Sequence, residues 1–236
     1  EALQAKLARY YASTTFWDAE AGRVIEALKK AGQYENTIFV VSSDNGYSNG
    51  DHGLMGKQNL YEFGGMHSFV IFAGPGIPQG ESKALTYLMD IYPTLCELTG
   101  TEIPEELDAK SLAPVITGKS EKVRDYLFTG FKKNQRAIRD DRWKLIRYPL
   151  INKTQLFDLQ NDPHELNDLS DQPEQAERIE ALMAALEEKQ KFYGDKAPLS
   201  VGNPGKEAWD PSIGEADLAK LRAERAAQKR KERPKK

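Results

Sequence analysis

The sequence has one cysteine, Cys96, and three histidines among 236 residues. A single thiol excludes an intrachain disulfide. No apolar stretch approaches the roughly 18 residues that a membrane-spanning helix needs. An initiator methionine is missing too. The chain opens at Glu1 and enters a helical pattern at once, which reads as a processed or truncated start. The net charge of −3 is small but uneven, since residues 220–236 hold nine Lys or Arg against Glu224 and Glu232. The body is therefore acidic and has no general attraction for nucleic acid.

What is present reads as a mixed α/β chain. Apolar or small residues at 3, 7, 10, 14, 17, 21, 24 and 28 predict an amphipathic helix over 2–30, packed on a sheet and stopped by Gly32. Residues 37–43 form a β-branched and aromatic run without alternation, as expected of a strand covered on both faces. A second strand begins at Phe69 and ends on Gly74-Pro-Gly, and a helix follows over 84–99. From about 120 the runs shorten. Strands near 125–130, 135–139, 143–148 and 155–159 predict a small antiparallel sheet, followed by a helix over 174–193 with Ile179, Leu182, Met183 and Leu186 on one face. The expected division is 1–120 as an α/β core portion, 121–195 as sheet plus helix, and 196–236 as linker and basic tail.

The chemistry concentrates after the first strand, in Ser43-Asp-Asn-Gly, His52-Gly and Gly56-Lys57. In an open α/β sheet, ligands bind beyond the carboxyl ends of the strands, where Asp44 and Asn45 stand. Their oxygens suit Ca²⁺ or Mg²⁺. His52 and Lys57 add a titratable donor and a fixed positive charge, and a cation with such groups around one hole suits a tetrahedral oxyanion. Asp-Asn-Gly is also a common tight turn, and the residues alone leave both readings open.

The stretch Ser43-Asp-Asn-Gly, His52-Gly, Gly56-Lys57 and Tyr61-Glu-Phe-Gly-Gly resembles the second half of a type I sulfatase, in the alkaline-phosphatase-like superfamily. The resemblance extends over Tyr11-Ala-Ser-Thr-Thr-Phe-Trp-Asp, Gly22-Arg-Val-Ile-Glu-Ala-Leu, Gly74-Pro-Gly-Ile-Pro, Asp90-Ile-Tyr-Pro-Thr-Leu and Leu156-Phe-Asp-Leu-Gln-Asn-Asp-Pro-His-Glu. It implies the C-terminal part of an alkaline-phosphatase-like α/β domain, followed by a small antiparallel sheet with a packed helix. By that resemblance Asp44 and Asn45 are ligands of Ca²⁺. Lys57 contacts the sulfate of a sulfate ester, such as a sulfated polysaccharide, and His52 is a candidate donor to the sulfate or leaving group. Asp90 reads as a structural carboxylate at a helix start, His164 as a turn residue and His67 as a packing residue.

Two departures matter. The family makes its formylglycine nucleophile from a Cys/Ser-x-Pro-x-Arg motif, which this sequence does not contain. The paired aspartates that complete the family's calcium shell have no counterpart either, and two ligands are too few for an ion that takes six to eight oxygens. The expectation is a C-terminal part whose partner is the missing N-terminal half, with an incomplete sheet and exposed apolar surface. Such a chain alone turns nothing over. Export to the periplasm or medium is expected, as for many such enzymes. Two alternatives stay open: a phosphodiesterase or phosphonate hydrolase of the same superfamily, and a non-catalytic domain that binds sulfated glycans.

Overall fold

The computed structural model describes residues 2–57 and 59–206. The basic tail, and the linker beyond 206, lie outside the described residues. α1 (Ala2–Lys30) is one continuous helix, ended by Gly32 at φ +66°, a conformation that favours a residue without Cβ. Its expected packing on a sheet is not seen. Phe16 is 67 % exposed and Val24 59 %, and α1 meets the site loop near its start, where Tyr10 stacks on Tyr47 and Leu3 lies against Gly50. The cause is a narrow partner. β1 (Phe39–Ser42) pairs antiparallel with β4 (Val70–Ala73), and among the described residues this is a two-stranded ribbon. β1 is accordingly half-buried rather than covered on both faces. Phe69 and Ile71 are exposed, in keeping with the expected open apolar surface.

Between them, β2 (Ser48–Asn49) and β3 (Met55–Gly56) form a short antiparallel hairpin. The helix expected over 84–99 starts late. Residues 84–87 are not helical, a 3₁₀ turn covers Leu88–Asp90, and α2 runs Ile91–Thr99. The start is fixed by Asp90, whose Oδ2 accepts the Tyr87 N–H at 2.7 Å. α3 (Ala113–Ile116) is a single turn.

The C-terminal portion is a meander in the order β5 (Leu127–Phe131), β6 (Gln135–Arg139), β7 (Trp143–Tyr148) and β8 (Lys153–Asp158), antiparallel throughout. Side chains alternate between its faces. Ile138, Trp143, Leu145 and Leu156 pack against Leu182 and Leu186 of α4 (Ala176–Phe192), the face expected from the helical spacing. Burying each such Leu or Ile contributes roughly 1.5–3 kcal/mol. The other face presents Ala137, Ile146 and Phe157 to Leu60, Tyr61 and Met66, so it carries the loop that leads to the site. Asp140 makes the β6–β7 turn by accepting the Arg142 and Trp143 amides at 2.8 and 2.6 Å.

Past α4 the chain wraps back onto the meander. Asn152 and Val201 exchange two hydrogen bonds, and Leu199 packs on the core. Asp195 secures this return by accepting from Arg136 of β6, Gln190 and the Ala197 amide. The Arg136 hydrogen bond holds its carboxyl at about 2, against an ordinary 3.8. A depressed carboxyl stabilises the fold above its unfolded value and loses that contribution as pH falls through the folded one. Asp195→Asn is therefore expected to lower the urea midpoint at pH 6, with the difference from the parent fading between about pH 4 and pH 2. A difference independent of pH would assign the effect to packing.

Candidate active site

The site is built where β1 ends. Three hydroxyls clamp this end: Ser42 donates to the Phe69 carbonyl at 2.7 Å, Ser43 to the Asn45 carbonyl at 2.7 Å, and Ser68 to the Ser43 carbonyl at 2.5 Å. Gly46 then donates its N–H to the Gly65 carbonyl at 2.9 Å. A Cβ on Gly46 would stand 2.8 Å from the Gly65 oxygen, so the close approach of two backbones demands glycine here. Ser48, fully buried, donates to the Gly64 carbonyl and accepts from Asn59. The turn Glu62–Met66 thus fixes the backbone just beyond Asp44 and Asn45.

Lys57 returns at the end of β3 and places Nζ 2.6 and 2.9 Å from the two oxygens of Asp44. That hydrogen bond and charge hold the Asp44 carboxyl below its ordinary value. The pair is open to solvent, with 81 % of the Asp44 side chain exposed. Beside it, Oδ1 of Asn45 is buried and has no hydrogen-bond partner among the described residues. A buried amide oxygen without a donor, next to a solvent-facing carboxylate, fits a cation ligand pair. Among the described residues no group of three or more His, Cys, Asp or Glu is placed to hold a metal.

His52 does not join them. Its ring lies on that of Tyr61, with centroids 3.8 Å apart and planes within 8°, and no hydrogen bond links it to Asp44, Asn45 or Lys57 among the described residues. His67 is exposed, with its ring near Phe63, rather than packed in a core. His164 sits in a turn as expected, its ring stacked on that of Phe63 with centroids 4.4 Å apart.

Sequence reasoning missed the group beneath the site. Glu62 is buried and accepts from Lys144 Nζ at 2.8 Å and Arg139 Nη1 at 2.6 Å. Lys144 also lies 3.0 Å from Glu165, whose other oxygen accepts the Glu62 N–H. Burial raises the Glu62 carboxyl, but Lys144 and Arg139 outweigh it and the net shift is downward. For Glu165 burial dominates the attraction of Lys144, and its carboxyl is raised. A cavity of about 390 Å³ separates this cluster from Asp44 and Asn45, with Val70, Tyr87 and Leu127 among its walls. The available signal was Lys144 itself, a charge inside the apolar run Trp143–Ile146, where a buried cation needs an anionic partner.

The family profile described as "N-sulphoglucosamine sulphohydrolase, C-terminal" matches residues 50–192, more than half of the chain. The chain belongs to the sulfatase family. The match opens in the loop that carries His52 and Lys57 and takes in Glu62, Lys144 and Glu165. Asp44 and Asn45 stand just ahead of it. Among curated sulfatases, the N-acetylglucosamine-6-O-sulfatase of Bacteroides thetaiotaomicron is 31 % identical over 80 % of this chain and 36 % of that protein. A solved structure in complex with its substrate D-glucosamine-2-N,6-O-disulfate superposes with TM-score 0.68 at 30 % identity, over 77 % of this chain and 40 % of that one. The phosphonate monoester hydrolase of Silicibacter pomeroyi gives 0.67 at 28 %, over 76 % and 40 %. This sulfatase chain spans a little over a third of the curated relative's length. No described helix is long and apolar enough to cross a membrane.

Proposed function

We propose that this chain contributes the cation and anion side of a sulfuric ester hydrolase site, and that the nucleophile comes from outside residues 1–236. The observation that carries this reading is the meeting of Lys57 with Asp44 at a strand end, beside the unpartnered oxygen of Asn45. Asp44 and Asn45 would hold Ca²⁺, together with ligands from another part of the protein. The ion, when bound, withdraws charge from the sulfuryl oxygens.

Lys57 binds and orients the sulfate through its ammonium and neutralises charge growing on the transferring group. His52, stacked on Tyr61, is the candidate donor to the leaving group or the sulfate. The turn Glu62–Met66 keeps Asp44 and Asn45 in register by holding Gly46. The nucleophile in this reading is a formylglycine, the substrate a sulfated sugar, and the setting periplasmic or extracellular. Turnover of para-nitrophenyl sulfate tests it. Residues 1–236 alone are expected to show none. The whole protein is expected to turn the ester over and to lose about 10²-fold in kcat/KM on Lys57→Ala. Turnover by residues 1–236 alone, or an undiminished Lys57→Ala variant, would overturn the assignment. The likeness to a phosphonate monoester hydrolase supports a second reading, which the same assay decides if a phosphonate monoester proves the faster substrate.

A further inference from the structure

We infer that Lys57 is the resident counter-ion of Asp44, and that it is exchanged for the divalent cation, so cation uptake releases the ammonium toward the anion. The inference rests on the proposed cation site and adds its regulation. Nζ of Lys57 contacts both carboxylate oxygens, at 2.6 and 2.9 Å, and so covers the ligand that a metal ion would use. It leaves the neighbouring Asn45 oxygen without a partner among the described residues, since both hydrogen bonds of Nζ go to Asp44. The ammonium therefore stands in for the charge of a metal ion without completing its coordination.

Lys57 can leave. It sits at the end of a two-residue strand, after Gly53 and Gly56 at φ +69° and +92°, and its side chain is 42 % exposed. A divalent cation on Asp44 and Asn45 repels an ammonium held on the same carboxylate. The freed ammonium becomes the donor that a sulfate group takes. An anion that captures Lys57 removes the competitor from Asp44, so anion and cation favour each other's binding. That coupling is reciprocal by linkage.

The exchange is tested on the whole protein by calorimetric titration with calcium chloride, in sodium sulfate and in sodium chloride of equal ionic strength. The labelling rate of Lys57 by acetic anhydride is followed in parallel. Exposed ion pairs are weak, so Lys57→Met is expected to lower the half-saturating calcium concentration about fivefold. Lys57→Arg, which keeps the counter-ion, is expected to leave it at the parent value or above. Sulfate is expected to tighten calcium binding in the parent and not in Lys57→Met. Labelling of Lys57 in the parent is expected to rise as calcium saturates. Equal half-saturation for the parent and Lys57→Met overturns the exchange while leaving the cation site standing. Absence of calcium uptake from the parent, Lys57→Met and Lys57→Arg alike overturns the site and the exchange together.

Discussion

Replacing Lys144 with methionine is expected to lower stability by about 3–5 kcal/mol, read as a fall in the urea midpoint at unchanged slope. The side chain is only 2 % exposed and bridges Glu62 and Glu165, while Arg139 takes the second oxygen of Glu62. Two carboxylates and two cations balance in this cluster. Without Lys144, Arg139 still pairs with Glu62 but the Glu165 carboxylate loses its cation, and an unpaired buried charge is far more damaging than the net value of a pair. The deficit has a pH signature. The Glu165 carboxyl is already raised by burial, and a raised group contributes stability that is present at low pH and lost as pH rises through its folded value. Lys144→Met is therefore expected to be least damaging in mild acid and most damaging near neutrality. Adding Glu165→Gln, which keeps an acceptor for the Glu62 N–H, should restore much of the loss. A deficit under about 1 kcal/mol at neutral pH would mean that water reaches the cluster.

The elements that local pattern controls were legible from sequence. The helix over 2–30, the four-strand meander and α4 follow periodicity and turn residues, and all of them occur. Packing was less legible because it depends on partners. The apolar row of α1 describes a face, and nothing in that row says whether the neighbouring sheet is wide enough to cover it. The late start of α2 follows from one carboxylate closing a cap, which outweighs the apolar spacing that runs through residues 85–88. In the site, Asp44, Asn45 and Lys57 lie within fourteen residues, so a glycine-rich loop could be read as bringing them together. His52 lies in the same loop, and its stacking on Tyr61 leaves no local trace. Glu62 meets Lys144 and Glu165 across 82 and 103 residues. A pairing so distant shows in sequence only as a charge in the wrong place, such as Lys144 in a buried strand.

Asp90→Ala is expected to have an effect of the same order, about 3–5 kcal/mol, by removing the carboxylate that joins three segments. Asp90 is fully buried. Its two oxygens accept the Tyr87 and Lys110 amides and both terminal nitrogens of Arg124, at 2.5 and 2.7 Å. Truncation leaves a guanidinium, itself 7 % exposed, without its anion, and two amides without acceptors. The double variant Asp90→Ala/Arg124→Met separates these losses. Removing both charges abolishes the uncompensated guanidinium but not the two orphaned amides. The double variant should therefore be more stable than Asp90→Ala alone, by about 1–2 kcal/mol. Additive losses would mean that Arg124 finds another partner, with the Leu85 carbonyl at 2.9 Å and the Tyr87 ring as its existing alternatives. The consequence reaches the site because residues 86–89 line the cavity that opens beside Asp44 and Asn45. With Asp90 gone, that wall loses the cap that sets its path, and a cation titration should weaken more than it does for a surface variant such as Asp125→Ala. Equal weakening would confine Asp90 to holding the fold.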